Sequence, residues 1–341
     1  MSATGIERID NLFDNVSGTQ PIIRNDPDRK AVGVIQDLLT GHGHSSMPNP
    51  RNSAYGSFGP ATQKALLDFR TKKLGLDDPE DVKADHQTLL ALVREPAIDP
   101  IAGVGYLTLA LDLARSDLLL ILSLVSIVES GRRFKSLNRN TDKAGLSFGL
   151  IQWAQKPGRL SEIVSAFKIA DRELFEATFG GKKAADGMLA HVQKGKNGLN
   201  PDGSTKNANF DLIRSPWTER FIKAARNRVF QQVQAEVAMD TFRKSVVGIR
   251  QYAGDKLHSQ RDFAFQVDLS NQHGDAGAKS IFNAVKDTAV SEAMLLQRME
   301  DESVTRLENQ FGVDSNEARA TRDRRSFFRA TKMLADTDLQ D

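Results

Sequence analysis

Hydrophobic positions recur at helical spacing through most of the chain, and a few polar, glycine-rich stretches interrupt them. Val32, Ile35, Leu38 and Leu39, with Gln36 among them, follow an Asp-Pro-Asp start, which sets an N-cap and a first-turn proline ahead of a helix. A loop rich in Gly, Ser, Asn and Pro follows over 41–56. A second helix begins near Pro60, with Ala65, Leu66 and Phe69 on one face, and a third covers about 85–93. Three short helices over 26–95 make a minimal bundle. Residues 1–25 are polar without clear period and read as a partly ordered lead-in. Residues 96–104, which hold Pro96 and Pro100, read as a linker.

The remainder, 105–341, is patterned for helices of a second, larger domain. Residues 118–128 are apolar on every face, which predicts a helix buried all round, and this helix runs directly into Glu129-Ser130-Gly131. The stretch 135–155 is too irregular for helix and suits a short hairpin. Helices are expected over about 159–176, 181–194, 216–244, 259–285, 288–310 and 317–335, with 195–209 as a polar surface loop. No internal repeat is visible. The predicted fold class is mainly α: a three-helix domain followed by an α+β domain with one small β element.

Composition narrows the chemistry. With 40% hydrophobic and 26% charged residues in 341, the chain has the make-up of a folded globular protein. It contains no cysteine, which removes disulfides, thiolate metal sites and thiol nucleophiles. Residues 1–100 carry 11 basic and 14 acidic side chains and the rest carry 35 and 30, so the larger domain is mildly basic. That suits an anionic polymer but lacks the dense basic stripe of a nucleic-acid domain, so no nucleic acid is expected as a partner. The first residues have neither a basic n-region nor an apolar core, and no Sec leader is expected. The longest uncharged apolar run, 118–128, is too short to span a bilayer. No His pair stands at ligand spacing, so neither a metal nor another cofactor is expected.

Two carboxylates stand out. Glu129 ends the apolar helix, where the helix dipole disfavours negative charge and the apolar wall desolvates it; both effects keep a proton on a carboxyl, as a general acid requires. The plainer alternative is that Glu129 turns into solvent where the helix leaves the core. Thirteen residues on, Asp142 opens the run Asp142-Lys-Ala-Gly145-Leu-Ser147-Phe-Gly149-Leu150-Ile151-Gln152-Trp153. A second carboxylate, two glycines for tight backbone, and an amide and indole for sugar contacts are what glycoside cleavage uses. The alternative for Asp142 is an Asx turn in a polar loop.

Three segments resemble known families. The run from Val32 through Gly56…Phe58-Gly59…Thr62…Ala65…Phe69, Leu74-Gly75-Leu76 and Asp85…Thr88-Leu89…Leu92 resembles the peptidoglycan-binding module of wall hydrolases, with Arg70 where that family usually has a second Gln. Glu129-Ser130 followed by Gly145…Gly149-Leu150-Ile151-Gln152 resembles the Glu-Ser…Gly-Leu-Met-Gln pattern of lytic transglycosylases and goose-type lysozymes. The Asp142–Trp153 run, with Pro157-Gly158 and Leu160 beyond it, resembles the chitosanase segment that carries the water-activating Asp, although Ala144 replaces the family's Arg and the interval from Glu129 is shorter. Asp268…Asn271-Gln272-His273-Gly274-Asp275 resembles a later chitosanase segment.

These resemblances imply a lysozyme-like glycosidase domain of the endolysin type. They make Glu129 the acid, Asp142 the base and Ser147 the water-positioning hydroxyl, with Gln152, Trp153, Asn271, His273 and Asp275 binding substrate. The implied activity is a muramidase that cleaves the MurNAc–GlcNAc backbone, with bacterial peptidoglycan as the partner. A lytic transglycosylase, a chitosanase or an inactive wall-binding structural protein are the alternatives. A wall substrate without a Sec leader implies holin-dependent release or export by a specialised secretion system, the latter with an immunity protein as a further partner.

Overall fold

The computed structural model describes residues 4–340. Helix α1 spans Glu7–Phe13, α2 Arg29–Gly41, α3 Pro60–Leu74 and α4 His86–Arg94. The local chemistry sets these limits. The Asp28 and Asp85 carboxylates accept the backbone N–H of Ala31 at 3.0 Å and of Thr88 at 2.9 Å, satisfying N-terminal donors of α2 and α4. Proline starts α3 and Gly75, in the left-handed conformation, ends it. Helix α1 lies within the stretch read as an irregular lead-in. It is short and its only buried apolar side chains are Ile9 and Leu12, too few to show a period.

A π-helical turn over Tyr106–Ala110 leads to α5, Asp117–Ser130. Three strands follow, β1 Leu137–Arg139, β2 Leu146–Phe148 and β3 Trp153–Ala154, in an antiparallel sheet of that order. In register, Asn138 faces Ser147 and Ser147 faces Ala154, while Phe148 pairs with Leu137 and Trp153. The rest is helical: α6 Leu160–Ala170, α7 Arg172–Phe179, α8 Lys182–Val192, α9 Trp217–Ala225, α10 Arg228–Ala253, α11 Gln260–Val285, α12 Glu292–Phe311 and α13 Asn316–Ala330. The chain is thus mainly α with one small β element.

Two predicted helices are broken where short polar side chains compete for backbone donors. Asp171 is extended and accepts the Leu174 N–H at 2.9 Å, dividing 159–176 into α6 and α7. Asn227 accepts the Val229 N–H at 2.9 Å and divides 216–244 into α9 and α10, the latter continuing to Ala253. The loop expected over 195–209 forms two short 3-10 turns, with Leu199 buried and bridged to Thr205. No helix among the described residues is long and apolar enough to cross a membrane.

By their contacts the residues form two compact units, one up to Arg115 together with Glu129–Ala238, the other Ser116–Val128 together with Met239 onward. The three-helix segment lies inside the first unit. Part of the stretch 96–104 packs within this unit. Ile101 and Ala102 are buried, the Ala102 N–H donates to the Arg132 carbonyl at 2.8 Å, and Asp99 N–H donates to the Gly41 carbonyl at 2.9 Å. The sheet of this unit rests on a cluster of aromatic rings. Phe148 lies 5.0 Å from Phe221, Phe167 lies 4.6 Å from Phe230, and Phe179 lies 5.1 Å from Phe221. All five rings are fully buried, and truncating any one should cost about 3–5 kcal/mol. In the second unit α11, α12 and α13 pack together around Phe265, Ile281, Met299 and Phe328.

Candidate active site

Glu129 is half-buried in the last turn of α5, whose preceding side chains are almost all buried. The helix stops because Gly131 takes φ 62° and Arg132 takes φ 64°. Open space surrounds the place of a Gly131 Cβ, so glycine serves there for its left-handed backbone alone. Arg132 is the costlier residue, since a side chain opposes that conformation. A buried ion pair holds it. Its two terminal nitrogens donate to the two Asp37 oxygens, each at 2.6 Å, and the Tyr55 hydroxyl donates to the same carboxylate at 2.9 Å. Burial alone would lower the Arg132 guanidinium, and the Asp37 charge, the Tyr55 oxygen and the hydrogen bonds to both together more than offset it, leaving it above its ordinary value. Burial, and then the Asp37 charge, push the Tyr55 hydroxyl far up, so it remains a donor.

The chain after Arg132 is clamped in the same way. Arg133 pairs with Asp99, Lys135 lies 3.1 Å from Asp99, and Ile101 bridges Arg133. Gln234, fully buried on α10, donates from Nε2 to the Phe134 carbonyl at 3.2 Å and accepts the Leu150 N–H at 3.1 Å. One amide therefore ties the stretch after Glu129 to the end of β2. Gly149 makes this possible: its φ is 83°, and a Cβ there would stand 2.5 Å from the Gln234 oxygen. Gly145 is equally constrained: its φ is 73°, and a Cβ there would stand 2.6 Å from the Gln155 oxygen.

Asp142 lies in the β1–β2 loop and is exposed. One of its oxygens accepts the Ala144 N–H at 3.2 Å, an Asx-type turn, beside Lys143 at φ 59°. Ser147, in the middle of β2, is buried. Gln152, at φ 53°, donates to the Gly149 carbonyl at 2.9 Å, so its amide braces the β2–β3 turn. Trp153 is fully buried, which corrects its reading as a sugar contact: the indole has no exposed face and packs in the core. Two residues that sequence reasoning did not single out matter here. Gln155 accepts the Leu146 N–H at 3.3 Å, and its Nε2 lies 3.2 Å from His191 Nε2, which also lies 3.3 Å from the Thr205 hydroxyl. Burial lowers the His191 pKa, so the imidazole is a neutral member of this network. Buried polar side chains give no periodic signal, so nothing in the sequence marked them.

Asn271, His273 and Asp275 belong to the other unit. Gly274 interrupts α11 with φ 72° and ψ 162°, which kinks the helix among these three residues. Asp275 is exposed and accepts the Ser245 hydroxyl at 3.1 Å. The His273 Nε2 is buried without a hydrogen-bond partner, and burial, followed by the charges of Arg324 and Arg306, pushes its pKa down to about 4. Before the kink, fully buried Asp268 accepts from both Arg324, at 2.6–3.0 Å, and Arg325. This clamp joins α11 to α13.

No family model matches the chain, and no curated protein matches it. Among solved structures, the native chitosanase from Bacillus subtilis MY002 is similar, with 16% identity and a TM-score of 0.49 over 67% of this chain and 95% of that one. A mutant chitosanase from the same strain complexed with 6 GlcN gives 14% identity and a TM-score of 0.48, over 66% of this chain and 94% of that one.

Proposed function

We propose that this chain is a glycoside hydrolase that cuts the glycan backbone of bacterial peptidoglycan, with Glu129 as general acid. The observation that carries the reading is the placement of Glu129. It is a half-buried carboxyl at the end of a buried apolar helix, followed by a left-handed turn that a buried Arg132–Asp37 pair holds open. Strained backbone held by surrounding structure is found where a side chain must be fixed for chemistry. In the hydrolytic step Glu129 gives its proton to the glycosidic oxygen as the C1–O bond breaks. Asp142 takes a proton from the water whose oxygen bonds to C1, which inverts that centre. The three-helix segment, α2 to α4, serves as the wall-binding part.

The test uses the full chain on purified peptidoglycan. Glu129→Gln should fold as the parent does by circular dichroism and lose activity by roughly 10²-fold or more. Undiminished lysis by that variant would overturn the assignment. A second reading, a lytic transglycosylase, is favoured by one observation: Asp142 is open to solvent with an oxygen engaged in its own turn, and that chemistry needs a single acid. Mass spectrometry of the released muropeptides separates the two, because a transglycosylase leaves anhydro ends and a hydrolase leaves reducing ends.

A further inference from the structure

In the second unit His258, Asp262 and Glu292 each place one ligand atom within 4.8 Å of the others. They come from three pieces of chain. His258 precedes α11, Asp262 is in its first turn, and Glu292 is the first residue of α12. Asp262 is fully buried; one oxygen accepts the N–H groups of His258 and Ser259, each at 3.0 Å, in the capping box of α11. Its other oxygen, Oδ1, is buried and meets no hydrogen-bond donor, and the same holds for Glu292 Oε1. His258 Nδ1 lies 3.7 Å from that Glu292 oxygen, and the imidazole is half-exposed.

Buried carboxylate oxygens without donors are costly unless a cation meets them. Here one oxygen of each carboxylate and an imidazole nitrogen lie within 4.8 Å of one another, and the half-exposed imidazole gives the cluster a side towards solvent.

We propose that His258, Asp262 and Glu292 form a binding site for a divalent transition-metal ion of the Zn2+ class. One nitrogen and two oxygens are a donor set that Zn2+ accepts, and mixed imidazole–carboxylate sites favour such metals over Mg2+ or Ca2+, which take oxygen alone. Asp338 stands 4.0 Å from the other ring nitrogen, Nε2, the side on which metal-bound imidazoles commonly have a carboxylate partner. The ion would fasten the C-terminal segment, already bridged at Ser259 and Asp338, to the starts of α11 and α12. Its role is structural, and it is independent of the glycosidase reading.

The experiment uses the full chain without a histidine tag, stripped of metal with EDTA and titrated with Zn2+ by calorimetry, alongside thermal unfolding. The expected result is saturable, stoichiometric uptake, with a rise in Tm that EDTA reverses. His258→Ala and Glu292→Gln should each lose the saturable uptake and the Tm rise while keeping the parent's far-ultraviolet spectrum. Asp262 is left intact because it also caps α11. The two variants sit on different segments, so if one fails to fold the other carries the test. Absence of saturable uptake by the parent chain, or uptake by the variants equal to the parent's, overturns the proposal.

Discussion

At the scale of single residues, the Arg132–Asp37 pair sets buried charge against a left-handed turn. Both side chains are nearly excluded from solvent. A pair of this kind gains little over apolar packing, but losing one member strands a buried charge. Asp37→Ala should therefore lower stability by about 3–5 kcal/mol, read as a shift of the urea unfolding midpoint. It also frees the turn after Glu129, so the hydrolysis proposed for Glu129 should be weaker even under conditions where the variant is folded. A loss of less than about 1 kcal/mol would mean that Arg132 finds water or another acceptor. The sequence announced Glu129 through the apolar run before it. Asp37 looked like one more polar position of α2.

At the scale of elements, the kinked helix α11 carries a pH-dependent weakness. The His273 imidazole takes up a proton near its ordinary 6.5 when unfolded but only near 4 when folded. Above pH 6.5 the group is neutral in both states and contributes no slope. As pH falls from 6.5 towards 4 the unfolded chain binds the extra proton, so stability declines across that window and levels off below it. The loss attributable to His273 should be about 1–3 kcal/mol. In denaturant midpoints measured between pH 4 and 7, the parent should lose stability relative to His273→Gln as the pH falls; parallel curves would remove His273 as the cause. The period of α11 was visible in the sequence. The kink at Gly274 was not, because a lone glycine in a helical pattern does not report its own φ.

At the scale of the whole molecule, the N-terminal part behaves as a structural portion of the first unit. Asp37 pairs with Arg132, Asp99 with Arg133, and Arg228 donates to the Val93 carbonyl at 2.9 Å. Residues 105–341 expressed alone should therefore fail to show a cooperative unfolding transition at the midpoint of the full chain. A fragment that unfolds cooperatively with an unchanged midpoint would establish a separable module. Along 96–104, two prolines and a drop in period look alike whether a segment is solvated or packed.

The amino-acid sequence by itself determined the mainly helical character, the apolar helix that ends at Glu129, the hairpin that carries Asp142 and Ser147, and the tight backbone at Gly145 and Gly149. These are local properties, decided by periodicity, capping and the conformations glycine allows. Tertiary structure alone decided that Arg132 meets an aspartate 95 residues away, that the Trp153 indole is core, that Gln155 and Gln234 brace the sheet, and that His258 meets Glu292. Each of these depends on which segments come together in space. A polar residue's partner across such a distance leaves no period in the chain that carries it.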